Sequence, residues 1–333
     1  MRGTMIFHNV PIKCLCLWFE SGDVVVVAGY VGFRVHKDVL SDSSNTFANM
    51  LSDLAASAES DEDKVEGCPV VRFEDSVHDV KHLLRMLYNG INRDDDIEPV
   101  RQGECPDLTA DARMAHKYKL HVRKEAYRLL RHHFPSTFAE WEAQGSLSAE
   151  DAIEAVNLFR AIGDDDITTS HMLVALYLAC GLPYRALIRG TRRSDGVLET
   201  LPKEDVERCV LLREALVEKS AWMAVKLFEG EANADCRGVD DQCDARISET
   251  RTAALYGDAD EWARADPLGE FMRSRIDGME LESERGICGI CAGMLCERDR
   301  ELRRELWEEM PILLARVEEE MRGARRGSDE DEE

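Results

Sequence analysis

Val24-Val25-Val26-Val27-Ala28, then Gly29-Tyr30-Val31-Gly32, then Phe33-Arg34-Val35-His36-Lys37-Asp38-Val39-Leu40: the reading of this stretch decides the fold of the N-terminal third. A β-branched run bounded by turn residues predicts a strand. Upstream, Leu17-Trp18-Phe19 and the turn residues Glu20-Ser21-Gly22-Asp23 predict that these two segments form a hairpin. Downstream, Phe33 to His36 alternates apolar and polar side chains, as suits a sheet with one solvated face. Helical spacing begins at Lys37, where Val39, Leu40, Phe47, Met50, Leu51 and Leu54 recur every three or four positions in two short helices broken at Ser41-Asp42-Ser43-Ser44.

Ala55 to Glu66 is small and acidic, and reads as an exposed loop. Pro69-Val70-Val71-Arg72-Phe73 predicts a further strand. Asp75-Ser76 offers a helix start, and Val80, Leu83, Leu84, Leu87 and Tyr88 form a buried stripe that ends at Asn89-Gly90. A polar connector, Ile91 to Pro106, leads to a helical pair marked by Ala112, Ala115, Tyr118, Val122, Ala126, Leu129 and Leu130.

This order of strands and helices resembles the BTB/POZ fold. Phe33 to Leu40 is similar to that family's signature, in which a strand delivers a histidine to the start of the first helix. Ser43 to Leu51 resembles its second helix. Gly67-Cys68-Pro69-Val70-Val71-Arg72-Phe73-Glu74-Asp75-Ser76, with Leu83 to Gly90 after it, is similar to a fungal branch of the family. The resemblance implies an α+β domain over residues 17–135, after an N-terminal extension, 1–16. It also implies function by assembly, through homodimerisation or partner binding, with a cullin-based ubiquitin ligase adaptor or a transcription-related regulator as alternatives. Carried onto this chain, the contact residues are Trp18, Phe19, Val24, Val26, Val39, Leu40 and Phe47, each equally explained as core. Cullin adaptors place an apolar-x-Glu step just after the second helix. Here Met50-Leu51 runs into Ser52-Asp53-Leu54-Ala55, and the first glutamates are Glu59 and Glu62, which weighs against the adaptor.

Helical patterns dominate residues 136–323. They cover Ala149 to Ile162, Ser170 to Cys180 and Lys203 to Phe228, where Cys209, Leu212, Leu216, Met223 and Leu227 share one stripe and make Cys209 a core residue. Leu302, Leu306, Met310, Leu313, Val317 and Met321 form a last stripe that Pro311 is expected to kink or divide. The basic run at Arg322 to Arg326 passes into an acidic tail, 324–333, expected to be disordered.

Eleven cysteines without a secretory signal fit a reducing compartment, cytoplasm or nucleus. Cys236 and Cys243, with Cys288-Gly289-Ile290-Cys291, have the spacing of a zinc knuckle paired with a looser second half. Two readings stay open, a structural zinc site or separate buried thiols. Four thiolates would leave no position for water or substrate, so the metal would be structural. A redox Cys-x-x-Cys needs a strand before it, and Glu280 to Gly286 carries no strand pattern.

The net charge of −24, from 66 acidic and 42 basic residues, repels phosphate backbones and argues against direct nucleic-acid binding. No stretch reaches the roughly 18 apolar residues of a membrane span. His36 invites reading as a base, but no nucleophile or carboxylate stands at a spacing that completes a triad, so its ring is expected to satisfy neighbouring polar groups. Nothing places a nucleophile beside a base or a Gly-rich phosphate loop after a strand, and the expectation is a non-enzymatic protein-interaction protein.

Overall fold

The computed structural model describes residues 11–57, 64–89, 105–144, 147–163, 166–239, 242–257, 264–281 and 286–330. The chain divides into two compact units. The first comprises the chain as far as Phe134 with Arg160–Gly163 and Arg192–Glu199; the second comprises Pro135–Phe159, Asp164–Thr191 and the chain from Thr200 on.

In the first unit, β1 (Ile12–Trp18), β2 (Val24–Ala28), β3 (Val31–Val35), β4 (Lys64–Val65) and β5 (Cys68–Phe73) form one mixed sheet in the order β1-β3-β2-β5-β4. The valine run is its central strand. Every residue of β2 is buried, which is why it is apolar throughout and does not alternate. β2 and β3 are antiparallel, with Ala28 opposite Val31. Gly29, at φ 53°, closes the two-residue turn between them.

The expected pairing of Leu17–Phe19 with the valine run is not the one formed. β1 begins at Ile12 and runs parallel to β3, Ile12 opposite Val31 and Trp18 opposite Arg34, so it lies at the edge of the sheet. Both of β2's edges are taken by β3 and β5. The residues at 64–65, read as loop, form β4, whose turn into β5 places Glu66 and Gly67 at φ 49° and 80°. Two left-handed residues match the twist that a two-residue hairpin requires.

Helices α1 (Lys37–Ser43) and α2 (Asn45–Ser57) break at Ser44, whose hydroxyl accepts the Phe47 N–H at 3.2 Å and caps α2. Ser76 does the same for α3 (Val77–Asn89), accepting the Asp79 N–H at 3.1 Å. α3 packs on α4 (Cys105–Lys117), and α4 on α5 (Arg123–His133). Phe47, Phe73 and Tyr118 stack with centroids 4.7 to 5.9 Å apart and join α2, β5 and the turn after α4 around one aromatic core.

The second unit is helical: α6 (Phe138–Gln144), α7 (Ala152–Ile162), α8 (Asp166–Cys180), α9 (Tyr184–Arg189), α10 (Lys203–Leu227), α11 (Gln242–Tyr256), α12 (Phe271–Leu281) and α13 (Gly289–Glu330). A short hairpin, β6 (Thr191–Arg192) and β7 (Leu198–Glu199), precedes α10; from Arg192 to Glu199 it belongs to the first unit, as do the last residues of α7. The Cys209-to-Leu227 stripe is buried in α10, which packs on α8 and α13, and the stripe from Leu302 to Met321 is buried in α13. Pro311 does not divide α13: the helix is continuous past it and through Glu330, into the segment read from composition as a tail. Proline's ring side faces solvent there, and the burial of Met310, Leu313 and Leu314 beside it holds the helix together. The protein is thus α+β, an N-terminal sheet with helices followed by a mainly helical region.

Candidate functional site

Two features stand out: a cluster of sulfurs in the helical unit and, among the described residues, an edge strand with exposed apolar side chains in the first. The sulfurs come from four places. Cys236 lies in the loop after α10, Cys243 is the second residue of α11, and Cys288 and Cys291 straddle the start of α13. All four Sγ atoms lie within 4.8 Å of one another, and Cys236 and Cys288 are 3.8 Å apart. A tetrahedral zinc with Zn–S bonds of about 2.3 Å spaces its sulfurs at about 3.8 Å. The residues therefore have both the donor chemistry and the spacing for such an ion.

Backbone amides point at the sulfurs. The Gly238 N–H donates to Cys236 at 3.3 Å and the Cys288 N–H to Cys243 at 3.2 Å. A Cβ at Gly238 would stand 2.6 Å from the Cys243 sulfur, so only glycine lets the chain pass there. The halves are tied elsewhere too, by Gln242 Nε2 donating to the Gly286 carbonyl at 3.1 Å and the Ile287 N–H to the Met279 carbonyl at 3.0 Å. Burial pushes Cys243 and Cys291 up, as does the crowding of neighbouring thiols. At Cys288, burial acts upward as well, but hydrogen bonds from the Arg237 and Cys291 amides and from nearby thiols bring it down to about 6.

In the first unit, β1 and β4 are the sheet's edge strands. β1 carries Ile12 and Leu15 at 64% and 86% exposure, with half-buried Trp18 at its end and Lys13 Nζ lying 4.7 Å over the Trp18 ring. Phe19 follows, stacked on Tyr88 at 4.5 Å. His36 sits beneath as the residue before α1. Its Nδ1 is 2.8 Å from the Tyr88 hydroxyl and its Nε2 2.9 Å from Ser21 Oγ, while its N–H donates to the same Tyr88 oxygen. The ring is fully engaged in joining the strand entry to α3, and burial raises Tyr88 above its ordinary pKa.

Residues 18–121 match the family model described as the BTB/POZ domain. This segment is a BTB/POZ domain. No curated protein and no solved structure matches the chain. BTB/POZ domains are protein–protein interaction modules, and the match places Trp18, Phe19, the sheet from β2 on and α1 to α4 inside the module. No helix among the described residues is long and apolar enough to cross a membrane.

Of the seven contact residues expected from the family, Val24, Val26, Leu40 and Phe47 are at most 1% exposed and form the BTB core. Trp18, Phe19 and Val39 are half-buried and retain surface. Met50 is half-buried and Leu51 is buried, while Glu59 and Glu62 lie outside the described residues. Sequence reasoning named all four clustered cysteines but missed Ile12, Leu15 and Gly238. The signals were present: an apolar run interrupted only by Lys13 before Leu17, and a glycine two positions after Cys236.

Proposed function

We propose that this protein works by binding other proteins, that its BTB domain self-associates through the open edge of β1, and that a structural zinc at Cys236, Cys243, Cys288 and Cys291 holds the helical unit. The observation that carries the reading is an edge strand with two exposed apolar side chains on a domain whose family functions by assembly. Edge strands are templates for another strand, and exposed apolar side chains along one favour pairing. No catalytic role enters this reading, and the tetrathiolate set leaves no open coordination position.

Light scattering on the full chain after size-exclusion chromatography tests it. The expected result is a dimer that Leu15→Lys converts to a monomer with an unchanged circular dichroism spectrum, because Leu15 is solvent-exposed and its replacement costs the fold of the chain itself little. A monomeric wild-type chain that also retains no protein in pull-downs would overturn the proposal. The adaptor alternative calls for a cullin among the captured proteins. Burial of Leu51 in the domain sets it behind self-association.

A further inference from the structure

Helices α3 and α4 bring a second set of metal-ligand side chains together, in the BTB unit and independent of the cysteines. His78 and His82 stand four residues apart on α3, and Asp107 and Asp111 four apart on α4, so each pair occupies one helix face. The two faces meet. His82 is 4% exposed, with Nε2 3.0 Å from Asp107 Oδ1 and Nδ1 3.0 Å from Asp111 Oδ1. The His78 ring lies 4.5 Å from that of His82. Its Nε2 is buried and has no hydrogen-bond partner among the described residues. One donor atom each from His78, His82 and Asp107 fall within 4.8 Å of one another.

We infer that His78, His82 and Asp107 bind a divalent transition-metal cation of the zinc class, with Asp111 orienting His82. Two imidazoles, which are borderline donors, with one carboxylate form a set that suits zinc and disfavours calcium or magnesium, which take oxygen throughout. A buried polar nitrogen without a partner costs free energy of the order of 1–3 kcal/mol, and a metal at His78 Nε2 would remove that cost. The Asp111–His82 contact has the form of the carboxylate–histidine–metal triad, in which the second ring nitrogen is held by an acceptor while the first ligates. On binding, His82 Nε2 gives up its proton to solvent and Asp107 turns from hydrogen-bond acceptor to ligand. The Asp107 side chain is 44% exposed, which gives the ion a path in and leaves the fourth position for water. The bound ion would clamp α3 to α4 on either side of residues 90–104.

The test is equilibrium dialysis of the full-length protein against zinc, with metal counted per chain, comparing wild type with His78→Ala. His78→Ala leaves both His82 carboxylate contacts in place, and circular dichroism checks that it folds. The expected result is one zinc fewer in His78→Ala than in wild type, whatever the cysteine cluster holds. Asp111→Asn is expected to weaken the same zinc by about 10- to 100-fold. In a Cys236→Ser/Cys243→Ser chain loaded with cobalt, the His78-dependent metal should lack the charge-transfer absorption of thiolate ligands. Equal zinc content and affinity in wild type and His78→Ala would overturn the site, and so would loss of the His78-dependent zinc in the cysteine double variant. Zinc bound by wild type and His78→Ala alike, but absent from the cysteine variant, would leave the tetrathiolate proposal standing and remove this one.

Discussion

Arg193 shows how much one side chain can organise. Its side chain is 7% exposed and faces three carboxylates: Asp195 at 2.6 Å, Asp79 at 3.1 Å and Glu199 at 3.3 Å. Asp79 is shared with Arg113 at 2.7 Å, and the Ser76 hydroxyl donates to Asp195 at 2.6 Å. Through these contacts the Arg192–Glu199 segment is bound to the start of α3, inside the first unit. Burial alone would raise the Asp195 pKa. Hydrogen bonds from Arg193, Ser76 and the Val197 N–H outweigh it and hold the carboxyl well below the usual range. A group with a depressed folded pKa contributes stability that is complete above its unfolded value of about 3.9 and is lost as pH falls through the folded value. Asp195→Asn should therefore cost about 1.5–3 kcal/mol at neutral pH. It should also flatten the fall in stability below about pH 4. Urea unfolding at a series of pH values measures both, and parallel curves for the two proteins would show that Asp195 is not a source of the acid sensitivity.

At the scale of elements, α13 holds together despite a residue that should break it. A proline inside a helix removes one N–H and crowds the carbonyl four residues back, here that of Trp307. The buried stripe from Leu302 to Met321, packed on α10, outweighs that penalty. Pro311 itself is exposed. Pro311→Ala should accordingly stabilise the protein by up to about 3 kcal/mol without changing its contacts, measurable as a raised denaturation midpoint. A destabilised variant would mean that the proline sets a bend that the α10 packing requires. Helix α6 shows the opposite case, an element passed over although its cap is written locally. Thr137 Oγ1 accepts the Glu140 N–H at 3.3 Å, and Glu140 Oε2 accepts the N–H groups of Ser136 and Thr137 at 3.0 and 3.1 Å. That is a Thr-x-x-Glu capping box, legible in the sequence once looked for. Helix α11 offered less, because only Cys243, Ile247 and Thr250 are buried and so few apolar positions leave no stripe.

At the scale of the whole molecule, the two units use different sources of order. The BTB domain has a sheet, an aromatic stack and a buried valine strand. In the helical unit, α11 buries only Cys243, Ile247 and Thr250, and its start converges with Cys236, Cys288 and Cys291 on four sulfurs. Metal binding to such a set is folding free energy for the elements it joins. Cys236→Ser should lower the melting transition of the helical unit and abolish the response of that transition to chelator. The BTB unit's own unfolding should keep its midpoint, which hydrogen exchange resolved by segment can follow. Unchanged protection in α11 and at the start of α13 would count against a metal there.

Much of this protein was legible in its sequence because local pattern reports burial. Four consecutive valines marked a strand, the three-and-four spacing from Leu302 to Met321 marked a helix, and Cys288-x-x-Cys291 marked a turn able to present two thiolates. Local pattern does not report partners. Which edge β1 would take depended on β2 already being paired on both sides. The convergence of Cys236 and Cys243 with Cys288 and Cys291 depended on how α11 and α13 are placed, and the meeting of His78 and His82 with Asp107 and Asp111 on the packing of two helices. Side-chain periodicity is set within a few residues of chain, whereas a site is set by the distances between elements, and only the tertiary packing determines those.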